Sequence, residues 1–111
     1  MVRFLLEKGV KSNEKDNGNW TALIKTAYWG HTETVRLLIN REAKIDLKIR
    51  EGFTPLIYAA FYNHYEVAKL LIENGADVRT KDGYTTFIYA VQNGQTDMVK
   101  LLLANGADLN Y

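Results

Sequence analysis

The chain has no cysteine. That excludes a disulfide framework, a thiolate metal site and a cysteine nucleophile. It has no excess of charge: 14 basic residues face 13 acidic ones, a formal net charge of +1. Nucleic acid and anionic membranes attract a concentrated basic face, which this balance does not supply. Lys44, Lys48 and Arg50 do cluster, but Glu42, Asp46 and Glu51 stand among them, as in a solvated loop. No run approaches the roughly 18 apolar residues of a membrane-spanning helix. The opening Met1-Val2-Arg3-Phe4-Leu5-Leu6-Glu7 meets charge too soon to act as a signal peptide. These absences lead us to expect a soluble, intracellular protein of the cytoplasm, with neither nucleic acid nor membrane as its partner. With 111 residues, 47% of them hydrophobic, the chain has enough apolar material to bury one domain's core.

That material is periodic. Thr21-Ala22-Leu23-Ile24, Thr54-Pro55-Leu56-Ile57 and Thr85-Thr86-Phe87-Ile88 stand 33 and 31 residues apart, and a leucine pair begins sixteen positions after each threonine. A period of this size marks a stacked-repeat architecture. Each unit opens with a polar turn: Asp16-Asn17-Gly18-Asn19-Trp20, Arg50-Glu51-Gly52-Phe53 or Lys81-Asp82-Gly83-Tyr84. These sequences suit tight hairpin turns. Thr21, Thr54 and Thr85 then read as helix N-caps, and the only proline, Pro55, falls at a first helical position, where its missing N–H costs nothing. A short helix runs to about Trp29, Tyr62 or Asn93. After a break comes a second helix with Glu33, Glu66 or Asp97 in its first turn, where the helix dipole favours negative charge. Asn74-Gly75 and Asn105-Gly106 close the later copies with a left-handed glycine. Such a unit buries its apolar face only against a neighbour.

These residues resemble the ankyrin repeat. The similarity is closest in Gly52-Phe53-Thr54-Pro55-Leu56-Ile57-Tyr58-Ala59-Ala60 and in Glu66-Val67-Ala68-Lys69-Leu70-Leu71-Ile72-Glu73-Asn74-Gly75-Ala76-Asp77-Val78. It extends over nearly the whole chain. The resemblance implies an all-α solenoid of helix-turn-helix units joined by short β-hairpins or loops. The expected divisions are a half repeat at 1–15 carrying only a second helix, and repeats at 16–48, 49–79 and 80–111. It further implies a curved array that binds proteins on the concave face formed by the hairpins and first helices.

Four departures from the family pattern carry expectations of their own. Ile24, Ile57 and Ile88 replace the usual histidine, exchanging a Thr–His hydrogen bond for apolar burial. Glu42 occupies the place of a cap glycine. The short final spacing removes residues between Val78 and Gly83, so that hairpin should be clipped and its tip set back. Both ends also read as internal. Val2–Gly9 matches a second helix with no first helix before it, and Leu101-Leu102-Leu103-Ala104 lacks a polar outer face. A longer array would account for this, as would head-to-tail contact between copies.

No constellation of residues suggests catalysis. His31 and His64 hold equivalent places between helices and read as structural hydrogen-bonding groups in each repeat's own turn. The acidic residues fall at caps and loops, and no phosphate-loop pattern surrounds Gly52 or Gly83. The expectation is therefore a non-enzyme with no cofactor and no metal. The candidate site is a stripe of aromatics. Positions i, i+3 and i+4 share a helix face, and in the first helices they hold Lys25, Tyr28 and Trp29, then Tyr58, Phe61 and Tyr62, then Tyr89, Gln92 and Asn93. Trp20, Phe53 and Tyr84 add a ring before each threonine. On the ankyrin resemblance these line the concave groove, and we take Trp20, Tyr28, Trp29, Phe53, Tyr58, Phe61, Tyr62 and Tyr84 as candidate contacts for a protein or peptide. The competing reading for Trp20, Phe53 and Tyr84 is filler between repeats. The competing function is a structural or self-associating segment of a longer array, acting through its ends.

Overall fold

The computed structural model describes residues 15–107. Six helices stand in three pairs: α1 (Ala22–Trp29) with α2 (Thr32–Asn40), α3 (Pro55–Phe61) with α4 (Tyr65–Glu73), and α5 (Lys81–Gln92) with α6 (Thr96–Ala104). There is no strand among the described residues, so the fold is all-α. The first helices form one layer, α1 on α3 on α5, and the second helices form the other, α2 on α4 on α6. The expected half repeat lies outside the described residues.

The core runs between the layers. The second leucine of each pair, Leu38, Leu71 or Leu102, is fully buried, whereas Leu37 and Leu101 keep part of their surface. Val35, Val67 and Met98 lie beside them in the same cluster. Ile24 and Ile57 are buried as expected; Ile88 is only half-buried.

Thr21 and Thr54 cap their helices as the sequence suggests. Their hydroxyls accept from the Ile24 and Ile57 amides, each at 3.2 Å. Thr85 does not. In the third unit α5 starts five residues earlier, capped by Thr80, whose hydroxyl accepts from the Gly83 amide at 3.4 Å. The expected clipped hairpin is therefore absent. Lys81-Asp82-Gly83-Tyr84 forms helix instead, and Thr85 donates back to the Lys81 carbonyl at 3.1 Å. Two fewer residues leave too little chain for a projecting turn. Thr80 and Asp82 also supply a cap and a first-turn carboxylate at the new start.

The glycine at the end of α4, Gly75, has φ +108°, and Glu42 takes the equivalent place after α2 with φ +66°. Around it the Glu42 amide donates to the Ile39 carbonyl and the Ala43 amide to the Leu38 carbonyl, both at 3.0 Å. A left-handed residue with a Cβ costs about 1 kcal/mol. Glu42→Gly is therefore expected to be neutral to stabilising in thermal denaturation. A clear drop in melting temperature would mean that the glutamate side chain contributes more than its backbone loses.

Candidate functional site

The predicted rings do not lie side by side in one stripe. They form two rows joined by cross-contacts. The outer row runs Trp29, Tyr28, Tyr62, Phe61, Tyr89, with successive ring centroids 5.1, 4.8, 4.8 and 4.9 Å apart. It crosses all three repeats. The inner row runs Trp20, Tyr58, Phe53, Tyr89, at 5.3, 5.2 and 6.0 Å. Tyr28 links the rows, meeting Trp20 at 5.8 Å and Tyr58 at 5.2 Å, both edge to face. Edge-on and tilted pairs at these separations are each worth about 0.5–1.5 kcal/mol beyond the area they bury.

Exposure separates the two rows. Trp29 is 66% exposed, Tyr62 42% and Phe61 38%, while Tyr58 is only 8% exposed. Tyr58 packs in a small core with Ile24 and Ile49, against which Trp20, Tyr28 and Phe53 also lie. Trp20 and Phe53 thus fill space between repeats, and the inner row is largely structural. Burial, with Glu51 next in importance, pushes the Tyr58 hydroxyl above the usual tyrosine range. Tyr84 is carried by the first turn of α5 and half-buried, so it does not stand on a hairpin tip. Tyr89 ends both rows and belongs to the network more firmly than its place in the stripe suggested.

Hydrogen bonds fix the outer row. The Tyr62 hydroxyl donates to the Tyr28 hydroxyl at 3.3 Å. This bond is the main reason why the Tyr62 hydroxyl is held above the usual range. Below, His64 Nε2 lies 3.0 Å from the Tyr28 carbonyl. A carbonyl only accepts, so the imidazole carries its proton on Nε2. His64 therefore ties α4 to the preceding repeat rather than to its own turn, which corrects the sequence expectation. Gly30 makes room for it: its φ is +74°, and a Cβ there would come within 2.5 Å of His64 Nδ1. One repeat further, the Phe61 carbonyl is bonded instead by Asn93 Nδ2 at 3.2 Å. Gln95, which holds the place of His64, is buried with Oε1 unpaired among the described residues. His31 is exposed.

The loop before α1 holds Trp20 against this network. Asp16 Oδ1 accepts from the Trp20 amide at 2.9 Å and from the Gly18 amide at 3.0 Å, and Oδ2 pairs with Lys25 at 3.3 Å. The Trp20 bond above all holds the Asp16 carboxyl below the usual range, although partial burial opposes it. A depressed native pKa contributes stability above the unfolded value, about 3.9. That contribution is lost as pH falls through the native value. Asp46 is shifted the other way, by burial first and then by Asp77 and Asp82. Its charge opposes folding at neutral pH, and the penalty is relieved as pH falls through its raised native value. Asp16→Asn should therefore melt earlier than the native chain at pH 7, and Asp46→Asn should melt no earlier. Both differences should shrink as melts are repeated toward pH 3. An Asp16→Asn deficit that persists undiminished in acid would show that the charge is not what matters.

Among the described residues, no group of three or more His, Cys, Asp or Glu converges to hold a metal ion, and no helix is long and apolar enough to cross a membrane. The chemistry gathered here is that of recognition: exposed ring faces and edges, phenol and indole donors, and exposed carboxylates in the first turns of α2, α4 and α6.

The family model described as "Ankyrin repeats (3 copies)" aligns with residues 1–82 and with residues 51–111. No curated protein matches the sequence.

Proposed function

Because this chain belongs to the ankyrin-repeat family, whose repeats are generally protein–protein interaction modules, we propose that it is a non-catalytic scaffold binding a protein or peptide across the outer ring row. The single observation that carries this reading is the exposure of Trp29, Tyr62 and Phe61 in one continuous row. An array held together by its leucines does not need a wet indole. Tyrosine and tryptophan dominate binding hot spots because a rigid ring buries much area at low entropic cost. The inner row supports the outer one, so the contact surface is narrower than the eight residues suggested by sequence. Trp29, Phe61 and Tyr62 meet the partner, with the edge of Tyr28 between them.

The test uses peptides selected from a random display library against the native chain. Trp29→Ala should weaken their binding by about 2 kcal/mol, close to thirtyfold, while thermal melting stays within a few degrees. Tyr62→Ala should weaken binding similarly, with some loss of stability from its contacts to Tyr28 and Phe61. Selected peptides indifferent to both changes would place the binding surface elsewhere.

A second reading rests on Val91 and Leu103, which are 49% and 44% exposed on the last described repeat. Their counterparts one repeat earlier, Ala60 and Ile72, are covered fully and in part. Stacking of a second chain on that surface would make the protein a self-associating segment. Light scattering at high concentration separates the readings, since a persistent monomeric mass removes the second.

A further inference from the structure

We propose, resting on the ring-row reading above, that the occupant is a proline-rich segment in the polyproline II conformation with a basic residue at its flank. Three observations lead there. The first is spacing. The outer row advances from one first helix to the next, α1 to α3 to α5, and packed helices lie about 8–10 Å apart. A polyproline II helix turns once in three residues of about 3.1 Å each, roughly 9 Å. A proline at every third position therefore keeps step with the repeats. It meets Trp29 and Tyr28 in the first repeat, Tyr62 and Phe61 in the second, and Tyr89 in the third.

The second observation is hydrogen-bond polarity. Tyr62 donates to Tyr28, which leaves the Tyr28 hydroxyl proton free to point outward. The Trp29 indole N–H and the Tyr89 hydroxyl have no hydrogen-bond partner among the described residues. The row thus offers ring faces and donors. A polyproline II segment presents pyrrolidine rings and backbone carbonyls that make no internal hydrogen bonds, and each proline lacks an N–H of its own. It accepts where this face donates and asks for few acceptors in return. A helix would bring carbonyls already committed to its own hydrogen bonds, and a lone strand would bring as many N–H donors as carbonyls to a face that itself donates.

The third observation is charge. Glu66 and Asp97 are exposed and make no ion pair among the described residues, and Glu33 has only a 3.7 Å contact to Arg36. Each stands in the first turn of a second helix, four or five residues of chain beyond the end of a ring-bearing first helix, so one carboxylate recurs in every repeat. An arginine at the flank of the segment matches this recurring negative charge, and its planar guanidinium also stacks on ring faces.

The test is a titration of the native chain, followed by tryptophan fluorescence and calorimetry, with synthetic peptides. They are a twelve-residue (Ala-Pro-Pro)-based peptide ending in Arg-Arg, the same peptide ending in Glu-Glu, and the Arg-Arg peptide with every proline replaced by alanine. The expected result is saturable binding of the first peptide, at least tenfold weaker binding of the alanine version, and severalfold weaker binding of the Glu-Glu version. Trp29→Ala should abolish the fluorescence response and weaken calorimetric binding at least tenfold, with its circular dichroism unchanged. If Trp29→Ala fails to fold, Phe61→Ala serves in its place. Glu66→Gln should reduce the preference for Arg-Arg over Glu-Glu. Equal binding of the proline and alanine peptides overturns the proposal. So does failure of every proline peptide while display-selected peptides still depend on Trp29. In that last case the ring row remains a binding surface and only the identity of its occupant falls. If the display-selected peptides also ignore Trp29, both readings fall together.

Discussion

Leu71→Ala should lower the free energy of unfolding by about 2–5 kcal/mol, the range for truncating a fully buried leucine whose site cannot collapse. Leu71 is fully buried in α4 of the middle repeat, in the cluster that also contains Leu38 and Leu102. Its position matters as much as its area. In a stack, each unit is stabilised chiefly by the faces it shares with its neighbours, and the middle unit shares two. A void there weakens the coupling of α4 to both α2 and α6. Against a whole-domain stability of about 5–15 kcal/mol, that is a large fraction. Leu37→Ala, at a partly buried leucine of α2, should cost less, and Leu103→Ala, at one 44% exposed, should cost least. Chemical denaturation of the three variants orders them. Equal losses at Leu71 and Leu103 would mean that mutual covering of the repeats is not what holds the array.

How much of this was legible in the sequence depended on the range over which each residue's role is decided. Thr21 and Thr54 were legible because a cap is settled within four residues of chain: the hydroxyl and the amide it satisfies lie three apart. The left-handed backbone at Glu42 was legible by register alone, since the place after a second helix requires positive φ whatever residue stands there. The ring stripe was only partly legible. Helical spacing puts Tyr58, Phe61 and Tyr62 on one face. It cannot say that Ile24, Ile49 and Trp20 close over Tyr58 from other parts of the chain while Phe61 and Tyr62 stay open. The function of His64 was hidden for the same reason. Its acceptor, the Tyr28 carbonyl, is 36 residues away, and no local pattern announces the bond. Asn93 takes the corresponding carbonyl in the next repeat from a different sequence position, so even the repeat register does not predict it.

Gly83→Ala tests the close approach of α5 to the chain before it, because helix propensity and packing give opposite signs. If helix propensity alone governed, replacing a glycine inside α5 would stabilise by about 1 kcal/mol. The backbone at Gly83 is helical and not left-handed, so no strain of its own requires glycine. Packing requires it. A Cβ at Gly83 would fall within the van der Waals envelope of the Val78 carbonyl carbon, carbonyl oxygen and Cα. These are backbone atoms of a buried residue, and no rotamer change moves them. The first turn of α5 lies on the chain that leads into it, and that close approach is available only without a side chain. Overpacking of this kind costs about 1–3 kcal/mol, occasionally more, and rigid backbone on the far side places Gly83→Ala near 3 kcal/mol. The contrast is Gly52→Ala. Gly52 has φ +87° but open space where the Cβ would go, so only conformational strain of about 1 kcal/mol applies. Thermal denaturation should therefore rank Gly83→Ala as the more damaging of the two, although its backbone angles are the ordinary ones. A stabilised Gly83→Ala would falsify the close contact between the first turn of α5 and the Val78 backbone, leaving helix propensity to set the sign.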